Sequence, residues 1–175
     1  MENISISQPT QKALTLAALS GLKITLGPAF LQTSHHKPNA KYWVMAALGE
    51  MLLDKVGGLP SRFRPMLLIP HTLAGAYVAH QSLQEDGVDD HTTVAMAAVV
   101  AAGTACVAPM IRIAASKVLG IPQPILGIAE DYLAIKYGSQ ALGLSMQQVT
   151  DAAKDAVGDV TEGVRPALAS AGINV

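Results

Sequence analysis

Two neighbouring stretches of about 20 residues carry no charged side chain, and they constrain the fold more than any other feature. Residues 65–84 (PMLLIPHTLAGAYVAHQSLQ) and 92–111 (TTVAMAAVVAAGTACVAPMI) contain no Asp, Glu, Lys or Arg. An apolar helix of this length is long enough to cross the hydrocarbon core of a bilayer. The connection EDGVDDH is short, acidic and contains a glycine. This pattern predicts a helical hairpin in a membrane, joined by an acidic loop.

Composition agrees with a membrane environment. The chain has 175 residues, of which only 14% are charged, whereas soluble domains carry about 25%. It has one cysteine and a formal net charge of −1. These values argue against a disordered chain, a disulfide-stapled secreted module and a basic nucleic-acid binder. We therefore expect no nucleic-acid partner.

Three further apolar stretches are interrupted by charge. Residues 10–31 contain Lys23, residues 42–56 contain Glu50, Asp54 and Lys55, and residues 125–144 contain Glu130, Asp131 and Lys136. Together with the two uncharged stretches, they predict an all-α, polytopic helical membrane protein. It would have four or five transmembrane helices, some of them kinked or broken. An Ala-rich soluble helical protein that buries these stretches internally is the alternative.

The chain divides into three parts. Residues 1–9 form a polar N-terminus without the basic leader or cleavage site of a signal peptide. Residues 10–144 form the helical membrane domain. In the tail, residues 145–175, valine and alanine recur at three- and four-residue steps and acidic side chains fill the other face. We expect an amphipathic helix of about 20 residues here, ending at Pro166 and packing on the body or on a partner.

Lysine and arginine near the ends of spans indicate orientation. With five spans, the N-terminus and the loop GGLPSRFRP share one side, and this loop is rich in arginine. The bias therefore predicts a cytoplasmic N-terminus in a multi-pass protein of the bacterial inner (plasma) membrane. If the interrupted first stretch does not span, the C-terminus moves to the cytoplasm.

Small residues on the apolar stretches indicate close helix contacts. Ala97, Ala101 and Ala105 repeat at four-residue steps, and Gly75 precedes Ala79 at the same spacing. Small residues let helix backbones approach closely in lipid. The stripe serves either internal packing or a homo-oligomer interface. The expected partners are membrane lipids and a second copy of the chain or another membrane protein.

Charged side chains within apolar stretches are the candidate site. An ionisable residue at membrane depth is costly, so it is a functional candidate by default. In the structural interpretation, Lys23 pairs with Glu50 or Glu130 and fixes helix register. In the functional one, these residues bind an ion, a proton or a polar headgroup at mid-depth. The adjacent residues Glu130 and Asp131 cannot both face one partner.

An internal similarity favours the functional interpretation. GEMLLDKVG at 49–57 resembles AEDYLAIKYG at 129–138. Inverted repeats of this kind recur in transporters, with sites near the midplane.

An ordered set of short motifs carries a resemblance to a known family. SGLK (20–23), GE…DK (49–55), LPSR (59–62), GIPQP (120–124) and AEDYLAI (129–135) occur in this order. Over residues 12–138 the chain resembles a family of small bacterial polytopic membrane proteins known only as a domain of unknown function. The resemblance implies four or five membrane helices and no established activity. It points to polar positions that include Pro60, Ser61 and Arg62. The candidate polar site is therefore Lys23, Glu50, Asp54, Lys55, Arg62, Glu130 and Asp131.

Catalytic signatures are missing from the sequence. It has no HExxH, CxxCH, GxSxG, P-loop or GxGxxG motif, so we expect no enzyme, cofactor or metal. His35 and His36 fit a surface loop, and His71 and His80 fit packing positions. The first hypothesis is a non-enzymatic structural or accessory membrane component that self-associates. The alternatives are a small transporter or channel with a mid-membrane polar site, and a soluble helical or lipid-binding protein.

Overall fold

The computed structural model describes residues 7–55 and 65–170, and these residues form helices and no strand. The predicted all-α class is confirmed. The helices are α1 Gln8–Leu22, α2 Leu26–Ser34, α3 Ala40–Leu53, α4 Pro65–Glu85, α5 His91–Leu119, α6 Gln123–Ala141 and α7 Met146–Ser170. Arg62, Pro60 and Ser61 lie outside the described residues.

Local sequence signals account for several helix ends. The Ser7 side chain accepts a hydrogen bond from the Thr10 amide at the start of α1. Asp90 accepts from the Thr92 and Thr93 amides at the start of α5. These contacts satisfy amides that have no partner within the helix. α5 ends at Leu119 and is followed by Gly120, whose φ of 68° suits a left-handed C-cap.

α1 and α2 form an antiparallel hairpin rather than one broken span. The chain reverses at residues 23–25, so that a Cβ added at Gly27 would lie 2.2 Å from the Ser20 hydroxyl oxygen. Both open ends of the hairpin reach the same end of α4. Lys12 of α1 pairs with Asp86 at 2.7 Å, and Lys37, just after α2, pairs with Glu85 at 2.8 Å. The predicted interruption of the first stretch is thus a tight turn between two antiparallel helices.

This turn determines where the start of α1 lies. α1 begins beside the loop between α4 and α5, and we call this end of the bundle the acidic end. α3 runs away from it, so α3 ends and α4 begins at the opposite end. The start of α1 and the end of α3 therefore lie at opposite ends, because residues 10–31 turn back. The loop GGLPSRFRP, which the sequence places on the side of the N-terminus, lies outside the described residues except for Pro65.

The predicted helical hairpin of α4 and α5 is confirmed, and small residues hold it against α1. Ala97, Ala101 and Ala105 are all buried. A Cβ added at Gly75 would lie only 2.3 Å from the Ala101 Cβ. The stripe therefore packs against other helices of the same chain. Because these helices cover it, the stripe is not available as an oligomer interface.

α7 packs on the body through its apolar face. Ala156 is buried, and Asp159 pairs with Lys41 of α3 at 2.8 Å. The predicted amphipathic tail helix is thus confirmed, but it does not end at Pro166. The helix has 25 residues and continues to Ser170.

The outer surface of the bundle is rich in large apolar side chains. Examples lie on four consecutive helices, α3 to α6: Leu52, Leu73, Val99, Val107, Ile128 and Tyr132. Among the described helices, α5 alone is long and apolar enough to span a membrane by itself. The two histidines and two prolines of α4 lower its hydropathy. A multi-pass arrangement therefore stays a prediction.

Candidate functional site

Seven ionisable side chains from four parts of the fold meet inside the bundle. They lie at the turn between α1 and α2, at the end of α3, near the end of α5 and early in α6. We call this group the charge network: Lys23, Glu50, Asp54, Lys55, Arg112, Glu130 and Asp131. Lys23, on the turn, is only 1% exposed.

Asp54 links two cations. One of its oxygens, Oδ2, accepts hydrogen bonds from the Lys23 ammonium at 2.8 Å and from Arg112 Nη1 at 2.9 Å. Asp54 is the C-cap of α3, directly after the last helical residue, Leu53. Asp54 therefore joins the turn of the α1–α2 hairpin to α5.

Asp131 joins the same turn to α6. Its Oδ1 lies 3.5 Å from the Lys23 ammonium, and its Oδ2 accepts a hydrogen bond from Lys55. Lys55 also donates to the Met51 carbonyl at 2.9 Å. Lys23 thus lies between carboxylates of α3 and α6, because Asp54 and Asp131 both approach its ammonium.

Arg112 and Glu130 form the second link between α5 and α6. Arg112 Nε and Nη2 both donate to Glu130 Oε2, at 2.9 and 2.5 Å. The guanidinium lies close to α6 at Gly127, where an added Cβ would make an ordinary van der Waals contact with Arg112 Nη1 at 3.5 Å. The other oxygen, Glu130 Oε1, is buried and has no hydrogen-bond partner among the described residues. Such an oxygen is costly to bury.

Glu50 binds backbone rather than a cation. Its carboxylate accepts from the amides of Ile24 and Thr25 at 3.0 and 3.2 Å, and from the Thr25 hydroxyl at 2.9 Å. These groups lie at the N-terminus of α2. A helix N-terminus carries partial positive charge and free amides, so a carboxylate is stabilised there. Glu50 thereby holds the turn of the α1–α2 hairpin.

The structure brings together six of the seven residues that the sequence singled out; Arg62 lies outside the described residues. Their detailed pairing differs from the prediction. Lys23 contacts Asp54 and Asp131 rather than Glu50 or Glu130. The reversal at residues 23–25 is the reason, because it gives the backbone of the turn to Glu50 and leaves the Lys23 side chain to Asp54. As expected, Glu130 and Asp131 face different partners.

Arg112 belongs to the network, although the sequence analysis left it out of the candidate site. It lies just past the uncharged stretch 92–111, where an arginine looks like a flanking charge. α5 instead continues to Leu119, so Arg112 is about 10 Å from the helix end. Arg112 was missed because the sequence does not show that the helix continues beyond residue 111.

The histidines have packing and surface roles. His71 is buried, and its Nδ1 donates to the Ser20 carbonyl at 2.9 Å. His80 and His36 are exposed, and His35 lies 3.8 Å from Glu85. Within residues 7–55 and 65–170, no group of three or more potential metal-ligating side chains converges.

Comparison with known proteins gives no relative: no family model, no curated protein and no solved structure matches this chain. The resemblance to a family of small bacterial membrane proteins therefore stays a prediction. The chemistry of the site must be argued from its geometry.

The charge network combines three cations with four carboxylates in a largely desolvated setting. Removing charges from water costs more than their attraction commonly returns. A proton or a small cation that neutralised one of these carboxylates would therefore change the pairing of its neighbours.

Proposed function

We propose that this chain is a multi-pass protein of the bacterial inner membrane. The support is the distribution of side chains across the bundle. Large apolar residues such as Val99, which is 73% exposed, face outward, whereas Lys23 and Asp131 are buried. In water this distribution would leave a large apolar surface exposed, which soluble monomers avoid. In lipid it is favourable, because ionisable residues face the bundle interior.

In this arrangement α3 to α6 cross the membrane and the α1–α2 hairpin enters from the acidic end. Non-helical backbone at membrane depth is tolerated only when it is buried in protein or lines a cavity. The turn at residues 23–25 meets this condition through Glu50, which accepts its amides.

We infer further that the charge network is the site of a small transporter or channel. The observation that carries this inference is the fully buried Lys23 on the turn of a re-entrant hairpin, held by Asp54 and Asp131. Interrupted helices at membrane depth are where transporters bind ions and substrates. The unpartnered Glu130 Oε1 favours a proton or small cation as the bound species.

A proteoliposome flux assay tests this function. We expect the purified protein to dissipate an imposed gradient of H⁺, Na⁺, K⁺ or Cl⁻. Glu130→Gln and Asp54→Asn should slow this flux about tenfold or more, since one charge-assisted hydrogen bond contributes about 1.5–3 kcal/mol. Asp86→Asn is the matched control, because its pair with Lys12 lies at the acidic end.

Two outcomes would reject the transport function. One is a wild-type flux equal to that of empty vesicles for all four ions. The other is a flux that Glu130→Gln and Asp54→Asn leave at the level of Asp86→Asn. Recovery of the chain in the soluble fraction without detergent would reject the membrane placement itself.

A self-associating accessory component is the second candidate. One observation favours it: Gly103 lies exposed on α5 between Val99 and Val107, with nothing within 4 Å of an added Cβ. Small residues on such a face permit close helix approach in lipid. A dimer in mild detergent that Gly103→Leu dissociates would support this function, whereas a monomeric wild type would reject it.

A further inference from the structure

Glu130 differs from Glu50 and Asp131 in the use of its two carboxylate oxygens. Both oxygens of Asp131 lie against lysines, and both oxygens of Glu50 accept from the turn of the α1–α2 hairpin. Glu130 uses only Oε2, which accepts two hydrogen bonds from Arg112. Its Oε1 is buried and has no partner among the described residues. Because an ionised carboxylate oxygen only accepts hydrogen bonds, Oε1 is an acceptor for one positively charged species.

A metal cation does not fit this oxygen. Ca²⁺ takes about six to eight oxygen ligands, and K⁺ channels surround their ion with rings of carbonyl oxygens. In the part of the chain that the structure describes, no three potential metal-ligating side chains converge. Arg112, moreover, donates to the other oxygen of Glu130 at 2.5 and 2.9 Å, and its charge repels a second fixed cation. A single oxygen beside a guanidinium is sufficient for a proton but not for a metal ion.

An anion is disfavoured as well, because the cations of the network already hold carboxylates. Lys23 contacts Asp54 and Asp131. Arg112 contacts Asp54 and Glu130. An anion that bound to either cation would have to displace one of these carboxylates and then remain close to it. The geometry therefore favours a proton over Na⁺, K⁺ or Cl⁻.

We propose that the species bound by the charge network is a single proton, which is taken up by Glu130 Oε1. An O–H bond forms on Oε1, the carboxylate becomes a neutral carboxylic acid, and no covalent bond of the chain breaks. Chains of acidic side chains serve as proton relays in pumps and transporters. This inference rests on the transport function proposed above and names its substrate.

Arg112 converts proton uptake into a change of pairing. Its Nε and Nη2 donate to Glu130, whereas its Nη1 donates to Asp54 at 2.9 Å. Hydrogen bonds to a charged acceptor are the stronger ones, so a neutral Glu130 holds the guanidinium less firmly and Asp54 holds it more. Asp54 also binds Lys23 on the turn of the α1–α2 hairpin. A proton on α6 therefore changes the contacts of α5, of the end of α3 and of this turn.

Titration of Glu130 depends on charged groups from each of these elements. Arg112 of α5 contacts it directly, and the remaining described groups of the network are reached through Arg112 or lie next to Glu130 in the sequence. They are Asp54 and Lys55 at the end of α3, Lys23 on the turn, and Asp131 on α6.

NMR of the protein with ¹³C in its glutamate carboxyl groups and ¹⁵N in its arginines reads this site directly. The chain has five glutamates and four arginines, so Glu130→Gln and Arg112→Lys identify the two signals. At fixed pH and ionic strength, the Glu130 signal should stay unchanged when Na⁺ or K⁺ replaces choline. On acidification the Glu130 signal should move, and the Nε–H signal of Arg112 should move with the same midpoint.

Variants separate this coupling from a general effect of pH. Glu130→Gln should remove the transition of the Arg112 signal, and Glu130→Asp, which retains an ionisable group, should restore one. Glu85→Gln is the matched control, because it makes the same change in the exposed pair with Lys37 at the acidic end. The Arg112 signal should keep its transition in that variant. A Glu130 signal that responds to Na⁺ or K⁺ at fixed pH would overturn the proton site, as would a wild-type Arg112 signal that does not follow Glu130.

Proteoliposomes distinguish this inference from the transport function itself. We expect the protein to dissipate a pH gradient, while Na⁺, K⁺ and Cl⁻ fluxes stay at the level of empty vesicles. A flux of one of these three ions that Glu130→Gln lowers tenfold would overturn the proton as substrate and leave transport standing. Absence of flux for all four ions, together with the coupled NMR transition, would overturn transport and leave the proton site standing.

Discussion

The two faces of α5 have opposite size distributions. Ala97 and Ala101 face α1 and α4 and are buried, whereas Val99 and Val107 face outward. In a soluble bundle, large apolar side chains fill the interior, because burying them is the main stabilising term. On α5 the large side chains lie outside and small residues face the neighbouring helices. This contact is stabilised by close backbone approach, which is how small residues pack helices in lipid.

Two Lys–Asp pairs show the same contrast between interior and exterior. Lys12–Asp86 spans 2.7 Å with side chains 18% and 26% exposed, and Lys23–Asp54 spans 2.8 Å with 1% and 12%. The distances are nearly equal, but the surroundings differ. The contribution of each pair to stability therefore depends on its burial and on the partners it shares, and not on the distance between its charged atoms.

Removing the buried lysine should have the largest effect on stability. Lys23→Met leaves Asp54 and Asp131 short of one cation, and such uncompensated buried charge costs about 3–5 kcal/mol. Lys12→Met, the matched change in the exterior pair, should cost about 0–1 kcal/mol. Unfolding titrations in mixed micelles compare the two. Equal losses would show that the charge network is not desolvated.

A charge on the outer face should be the next largest effect. Val99→Lys places an ammonium on the exposed side of α5, which costs about 2.5–3.5 kcal/mol at the centre of a membrane helix. Thr92→Lys, near the start of the same helix, should cost much less. The fraction of chain integrated into membranes measures both. A soluble, fully folded Val99→Lys variant would contradict the lipid-facing assignment.

Replacing a glycine by alanine should lower stability at the interior contact and raise it on the outer face. Gly75→Ala overpacks the contact with Ala101, because the added Cβ would lie only 2.3 Å from the Ala101 Cβ. It should lower the free energy of unfolding by about 1–3 kcal/mol. Gly103→Ala meets nothing within 4 Å and should gain about 0.5–1 kcal/mol of helix stability. Thermal unfolding in detergent distinguishes them. Two destabilised variants of similar magnitude would argue against the interior–exterior contrast at this contact.

Asp90 at the exposed start of α5 should give the smallest effect, and it depends on pH. Its hydrogen bond from the Thr93 hydroxyl, followed by that from the Thr93 amide, lowers the pKa of Asp90 below its usual value. The cap therefore stabilises fully above the unfolded-state pKa of about 3.9. Its contribution is lost as the pH falls through the lowered folded-state pKa.

Hydrogen exchange of the Thr92 and Thr93 amides between pH 5 and about 2.5 follows this loss, after correction for the intrinsic pH dependence of exchange. Asp90→Asn retains a capping oxygen and removes the titration. The corrected protection of that variant should be flat over the same range. Protection in the wild type that is equally flat would show that the carboxylate is not the capping form.

The helices and the members of the site could be predicted from sequence, but their mutual arrangement could not. The hydrophobic periodicity and the positions of charged residues identified the α4–α5 hairpin, the amphipathic α7 and six members of the charge network. The reversal at residues 23–25 escaped prediction, because Gly27-Pro28 resembles the natural breaking point and Lys23 resembles an interruption within one span. In the structure Pro28 lies in the first turn of α2, where proline is tolerated.

Pairing within the network was also beyond sequence reasoning. Glu50 and Asp54 are four residues apart on one helix, and spacing alone gives both an equal chance at Lys23. The turn decides between them, since its free amides take Glu50. Arg112 escaped because its role depends on where α5 ends, and helix ends are the least certain part of a sequence-based prediction.

If the proposed membrane placement holds, the α1–α2 hairpin also determines whether the number of membrane crossings is odd or even. A segment that enters and leaves through the same face adds no crossing, so in the proposed arrangement only α3 to α6 count. Four crossings return the chain to the compartment from which α3 started. The beginning of α1 and the whole of α7 would then share one compartment, and reporter fusions placed at either position should give the same sidedness. Deleting the hairpin would destroy the charge network but leave the topology of every remaining helix unchanged.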